Sequence, residues 1–148
     1  MSDFVIRIIP TDPYYKSNER LLQRARDLLE DKIDCDLIRI RSFEKTSFID
    51  CGGNLHRISC PKCGKEVGFD WWGEQMSKAY ANSFVSLDVC LPCCNKEASL
   101  NDLVYDFQCG FACCVLEVLN PRVEISHELL DQIEKIIGSS VRIINAHI

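Results

Sequence analysis

A chain of 148 residues with 47% hydrophobic residues is long enough for one domain with a real core. Its formal charge of −5 argues against long-range attraction to nucleic acid or to an anionic membrane, and no apolar run approaches the roughly 20 residues of a membrane span. Ten cysteines would suit a disulfide-rich secreted protein, but Met1-Ser2-Asp3-Phe4 has neither the basic opening nor the apolar stretch of a secretion signal, so the expected setting is soluble, cytoplasmic and reducing.

Taken in chain order, Phe4 to Ile9 is a β-branched run stopped by Pro10, and Asp12-Pro13 marks a turn. From about Ser17, Leu21, Leu22, Ala25, Leu28 and Leu29 recur at helical spacing. Leu37 to Phe43 alternates Ile38 and Ile40 with Arg39 and Arg41, the period of a half-buried strand. The same order returns at the end of the chain. Phe111 to Leu119 is strongly apolar, and Asn120-Pro121 breaks it. Ser126 is placed to cap a helix carrying Leu129, Leu130, Ile133, Ile136 and Ile137, Gly138 ends it, and Val141 to Ala146 supplies a last strand. Two β-α-β units in series predict an α+β protein, a ferredoxin-like antiparallel sheet with both helices on one face. Residues 1–148 then form a single domain, with residues 44–110 inserted between the second and third strands. Within the insertion, Trp71, Trp72, Met76, Ala79 and Tyr80 point to a short helix, and Phe84 to Val89 to a strand.

The insertion carries the strongest chemical signal. Cys60-Pro61-Lys62-Cys63-Gly64 has the form of a zinc knuckle, in which a two-residue spacer aims both sulfurs at one metal and glycine permits the tight turn. Cys90-Leu91-Pro92-Cys93-Cys94 offers a second turn after a gap of 26 residues. Spacing alone favours Cys90 with Cys93; the adjacent pair Cys93 and Cys94 is the alternative. Four thiolates leave no open coordination position, so the expected cofactor, a zinc ion, is structural rather than catalytic. A redox dithiol at Cys60 and Cys63 is disfavoured, because Gly64-Lys65-Glu66-Val67 reads as a turn returning into a strand rather than the start of a helix.

Phe48-Ile49-Asp50-Cys51-Gly52, the Cys60–Gly64 turn, Pro92-Cys93-Cys94, Ser99-Leu100-Asn101-Asp102-Leu103, Gly110-Phe111-Ala112 and Ala146-His147-Ile148 together resemble an uncharacterised family of short bacterial zinc-ribbon proteins. The second turn of that family reads Pro-Cys-Cys, so the resemblance implies Cys60, Cys63, Cys93 and Cys94 as ligands, with Cys90 the alternate. The chain departs from the family pattern at Cys90, Cys109, Cys113 and Cys114.

The remaining cysteines read as small apolar residues: Cys113 and Cys114 would point to opposite faces of a strand, and Cys51 would sit in a turn. His56, His127 and His147 are scattered, and no nucleophile elbow, phosphate loop or paired catalytic carboxylates stand in a recognisable frame. Eight of the seventeen basic residues lie in the first 43 positions. Strand alternation places Arg7, Arg39, Arg41 and Arg142 on the face opposite the helices, around an apolar centre of Val5, Ile9 and Val115. The alternative is that Glu117 pairs with these arginines or that the zinc segment covers the face. The favoured function is a non-enzymatic zinc protein that binds an acidic protein partner, of an immunity or regulatory kind. An RNA-binding zinc ribbon and an enzyme of unrecognised site are the alternatives.

Overall fold

Apolar spacing and capping chemistry fix the outer elements. In the computed structural model, which describes Asp3–Ile148 and so leaves Met1 and Ser2 of the N-terminal reading outside the described residues, β1 is Phe4–Pro10. The Asn18 side chain accepts the Leu21 N–H at 2.8 Å and opens α1, Glu19–Lys32, whose Leu22, Ala25 and Leu29 are buried. Strand β2 is Leu37–Ile49, running on past the expected end at Phe43. The insertion then supplies β3 (Ile58–Ser59), β4 (Glu66–Val67), α2 (Phe69–Ala81), β5 (Asp88–Cys90), β6 (Glu97–Ser99), a 3-10 turn at Leu100–Asp102 and β7 (Val104–Tyr105). Strand β8 is Gly110–Leu119. Ser126 Oγ accepts the Leu129 N–H to open α3, His127–Ile137, which Gly138 ends in the left-handed conformation at φ 76°. Strand β9 is Val141–His147.

The main sheet runs in the order β2-β8-β1-β9 with every neighbouring pair antiparallel. Helices α1 and α3 pack on one face, where Leu22, Leu29, Leu129, Ile133 and Ile137 meet Ile6, Ile8, Leu116 and Val118 in one core. The other face is not open. Ile9, Phe111, Val115 and Ile144 of the sheet join Ile58, Phe84, Leu91 and Leu100 of the insertion in a second core. This corrects the expectation of a solvated apolar centre, since Val5, Ile9 and Val115 are all buried. The physical reason is visible in β8, whose Gly110–Val118 are buried without a break, as in a strand covered on both faces.

Two devices seat the cover. After β2, residues 50–54 cross to the far edge of the sheet, where Gly53 N–H donates to the His147 carbonyl and Gly52 bridges to His147. Gly52 has φ +65°, and an added Cβ would lie inside contact distance of the His147 carbonyl oxygen, so glycine is required twice over. Asn101, 5% exposed, is the second device. Its side chain donates to the Thr11 carbonyl and accepts the Phe111 N–H, both at 3.2 Å, tying the 3-10 turn to β8 and to the residue that follows β1.

Replacing Gly52 with alanine is therefore expected to cost at least about 1–3 kcal/mol from backbone strain alone. Gly53, with ordinary φ and nothing within 4 Å of an added Cβ, should accept alanine with little change. Urea unfolding of the two variants measures the difference.

Candidate metal centre and arginine row

Both cysteine turns are built on the same backbone. In the first, Cys60 N–H donates to the Lys65 carbonyl at 2.8 Å, Gly64 N–H donates to the Cys60 carbonyl at 3.0 Å, and Gly64 has φ +79°. In the second, Leu91 N–H donates to the Lys96 carbonyl at 2.9 Å, Asn95 N–H donates to the Leu91 carbonyl at 2.9 Å, and Asn95 has φ 58°. The turns thus align as Cys-Pro-Lys-Cys-Gly-Lys on Leu-Pro-Cys-Cys-Asn-Lys. The first ligand position of the second turn is filled by Leu91, fully buried in the core, and the thiol moves to the third position, Cys93.

The structure brings together Cys60, Cys63, Cys93 and Cys94, with all four sulfurs within 4.8 Å of one another. Cys63 Sγ lies 3.3 Å from Cys93 Sγ, and Cys60 Sγ lies 3.8 Å from Cys94 Sγ. A tetrahedral ion about 2.3 Å from each sulfur would set the sulfurs about 3.8 Å apart, so the cluster has the size to hold a metal. Cys90 is exposed and outside it: it pairs with Glu97 across β5 and β6 and is turned away while Leu91 is turned in.

The cluster also divides its charge unequally. Burial works against ionisation at Cys60, but the N–H groups of Cys63 and Lys62, each 3.3 Å from its Sγ, and the neighbouring thiols bring it down to about 6. Burial and the thiols of Cys63, Cys60 and Cys94 push Cys93 up to about 12. One sulfur is thus poised as a thiolate while another must give up a proton when a metal binds.

The other cysteines stay apart from this cluster. Cys51 and Cys109 are buried in the core beneath the insertion, and Cys114 is buried under the helices. Burial raises the thiol pKa at all three. Cys51 lies in the segment crossing the sheet and opens a turn there, as expected, its carbonyl accepting the Asn54 N–H at 3.4 Å while its side chain is buried. Cys113 sits against Thr46 Oγ1 at 3.4 Å. His56, His127 and His147 are exposed.

The four arginines do not form one solvent-facing group. Arg7 is 7% exposed, donating through Nε to Glu117 Oε2 at 2.9 Å and through Nη1 to the Asp50 carbonyl at 2.6 Å. Arg142 is half-buried and donates to the Asn101 carbonyl at 3.1 Å. Their expected projection into solvent is overturned because the segment crossing the sheet and the insertion occupy that space. Arg39 and Arg41 remain about half exposed, each 3.7 Å from the fully buried Glu117 carboxylate and, among the described residues, making no hydrogen bond. Arg41 also lies over the Phe43 ring, 5.2 Å from its centroid. One oxygen of Glu117, Oε1, has no hydrogen-bond partner among the described residues.

Comparisons with protein-family models, with curated proteins and with solved structures find no match to this chain.

Among single changes, Cys94→Ser should remove metal binding and Cys90→Ser should leave it intact. A double change, Leu91→Cys with Cys93→Ser, should restore a site with the spacing of the first turn, as measured by metal content after dialysis. At neutral pH, metal binding should release protons, so affinity falls as pH falls; titration calorimetry in buffers of different ionisation enthalpy reads that release.

Proposed function

We propose that this chain is a non-catalytic, zinc-stabilised protein, a ferredoxin-like frame with a zinc-ribbon insertion, that works by binding an acidic segment of another protein. The observation that carries the binding reading is the pair Arg39 and Arg41. Two guanidinium groups stand side by side on an outer strand, oriented by a buried carboxylate and with their forked donors unspent, an arrangement suited to receiving carboxylates.

The zinc reading rests on the donor set. Four thiols whose sulfurs lie within 4.8 Å of one another suit zinc or iron, and Cys60, Cys63, Cys93 and Cys94 would fill every position of a four-coordinate ion, leaving none for water or substrate. Zinc bound there would act as a cross-link between the two turns. The nucleic-acid alternative has less behind it. The outward positions of the two central strands that would stack bases in an RNA-binding sheet carry Val5, Arg7, Ile9, Cys113 and Val115, all buried.

Purified protein is expected to hold one zinc per chain, and its cobalt-substituted form to show thiolate-to-metal absorption of a tetrahedral site. Iron–thiolate colour, or no stoichiometric metal, overturns the zinc reading. Arg39→Glu with Arg41→Glu should abolish partner binding with metal content unchanged. Sub-micromolar binding of single-stranded RNA that falls steeply with salt and is lost in that variant would replace the protein partner with nucleic acid.

A further inference from the structure

The charges on the covered face form a row rather than a patch. Arg7 on β1 stands in register with Glu117 on β8, and Glu117 stands in register with Arg39 on β2. Across three hydrogen-bonded strands the sequence of charge is positive, negative, positive. The row then stops, because among the described residues β2 is the outermost strand and pairs with β8 alone. Opposite charges placed directly across neighbouring strands are the stabilising arrangement in a sheet. The next place in the row, beyond Arg39, calls for a carboxylate.

The strand that would supply it has a defined berth. Along β2, Arg39, Arg41 and Phe43 share one face at two-residue spacing, the spacing any added strand also has. The stretch is bracketed by carbonyls already engaged: Arg26 Nε donates to the Ile38 carbonyl at 3.2 Å and Lys16 Nζ to the Glu44 carbonyl at 2.7 Å. Between these two clamps lie residues 39–43. From Phe43 the strand leaves its regular register, residues 43–46 standing opposite Cys113 between the pairs Ser42–Cys114 and Ser47–Ala112. That irregularity limits the usable edge to the segment that carries the two arginines.

We infer that the free edge of β2 at residues 39–43 receives an extended strand from an acidic partner, with carboxylates at alternate positions opposite Arg39 and Arg41 and an apolar side chain two places further on, beside Phe43. This rests on the acidic-partner reading above and adds its geometry. Backbone hydrogen bonds along the edge supply affinity that does not depend on side chains, and the alternating carboxylates supply register and selection. A second copy of this chain is a poor occupant. Edge-to-edge pairing of two β2 strands would set Arg39 and Arg41 of one copy against those of the other, and like charges directly opposite are destabilising.

The test uses the full chain in its metal-loaded form and a ten-residue synthetic peptide alternating glutamate with threonine and ending in phenylalanine. Amide NMR of the labelled protein should show saturable shifts confined to β2, with a dissociation constant under roughly 1 mM, and slowed exchange of the outward amides of Ile40 and Ser42. A peptide of the same composition with its glutamates adjacent should bind at least about tenfold more weakly. The Arg39→Glu, Arg41→Glu protein should lose the peptide and bind its lysine counterpart instead. Arginine-dependent binding without slowed β2 exchange, or equal binding of the two glutamate patterns, overturns strand addition and leaves the acidic-partner reading standing. Absence of any arginine-dependent binding of either peptide overturns both.

Discussion

The meeting of the Cys60–Lys65 turn with the Leu91–Lys96 turn is the joint on which the covered face of the sheet depends. The insertion's own strands are two or three residues long and form one three-stranded and one two-stranded sheet, too small to be stable alone. Its aromatics pack on one another and against the parent sheet: Phe84 lies 5.3 Å from Phe111, Trp72 lies 5.8 Å from Phe48 of β2, and Trp72 donates its indole N–H to the Tyr105 hydroxyl. Drawing four sulfurs to one point joins the two halves of the insertion, so the cover is held as one piece. The glycine at position 52 and the buried amide of Asn101 then fasten that piece to the edge and centre of the sheet.

Burying the sheet's second face puts Glu117 out of reach of water, and this governs the charges around it. A buried carboxylate needs a close, hydrogen-bonded cation, which Arg7 provides at 2.9 Å. Asp50, in the segment that crosses the sheet, shares the same guanidinium, so the ion pair also locates the chain's path over that face. Arg39 and Arg41 are drawn toward Glu117 from the rim at 3.7 Å without bonding to it. The same burial that spends Arg7 therefore orients the two arginines left for another use.

The outer frame was legible in the sequence because its signals are local: Pro10 ends β1, Ser126 and Gly138 bound α3, and the alternation of Ile38 and Ile40 marks β2. Within the insertion, the helix suggested by Trp71 to Tyr80 is there as Phe69–Ala81, while the strand expected over Phe84 to Val89 is confined to Asp88–Cys90. Ser83 and Phe84 instead take the left-handed conformation and close the helix, a role their side chains do not announce. Alternation correctly grouped Arg7, Arg39 and Arg41 with Glu117 on one side of the sheet but carried no information on what covers that side. The run Phe111–Leu119, apolar but for Glu117, did carry it, since a half-solvated strand would alternate. Counting spacing from Cys90 missed the backbone repeat, which becomes visible only when Leu91 is allowed to stand in a ligand position.

The central claim, that the cysteine cluster holds the cover and that the sheet and helices stand without it, is tested most directly by amide hydrogen exchange of the full chain with and without a chelator. The account predicts that the chelator speeds exchange from Ile58 through Tyr105, while the pairs joining β1, β8 and β9 and the amides of α1 and α3 keep their protection. Uniform loss of protection through the whole chain, or an insertion whose exchange does not change when the metal is removed, would contradict it.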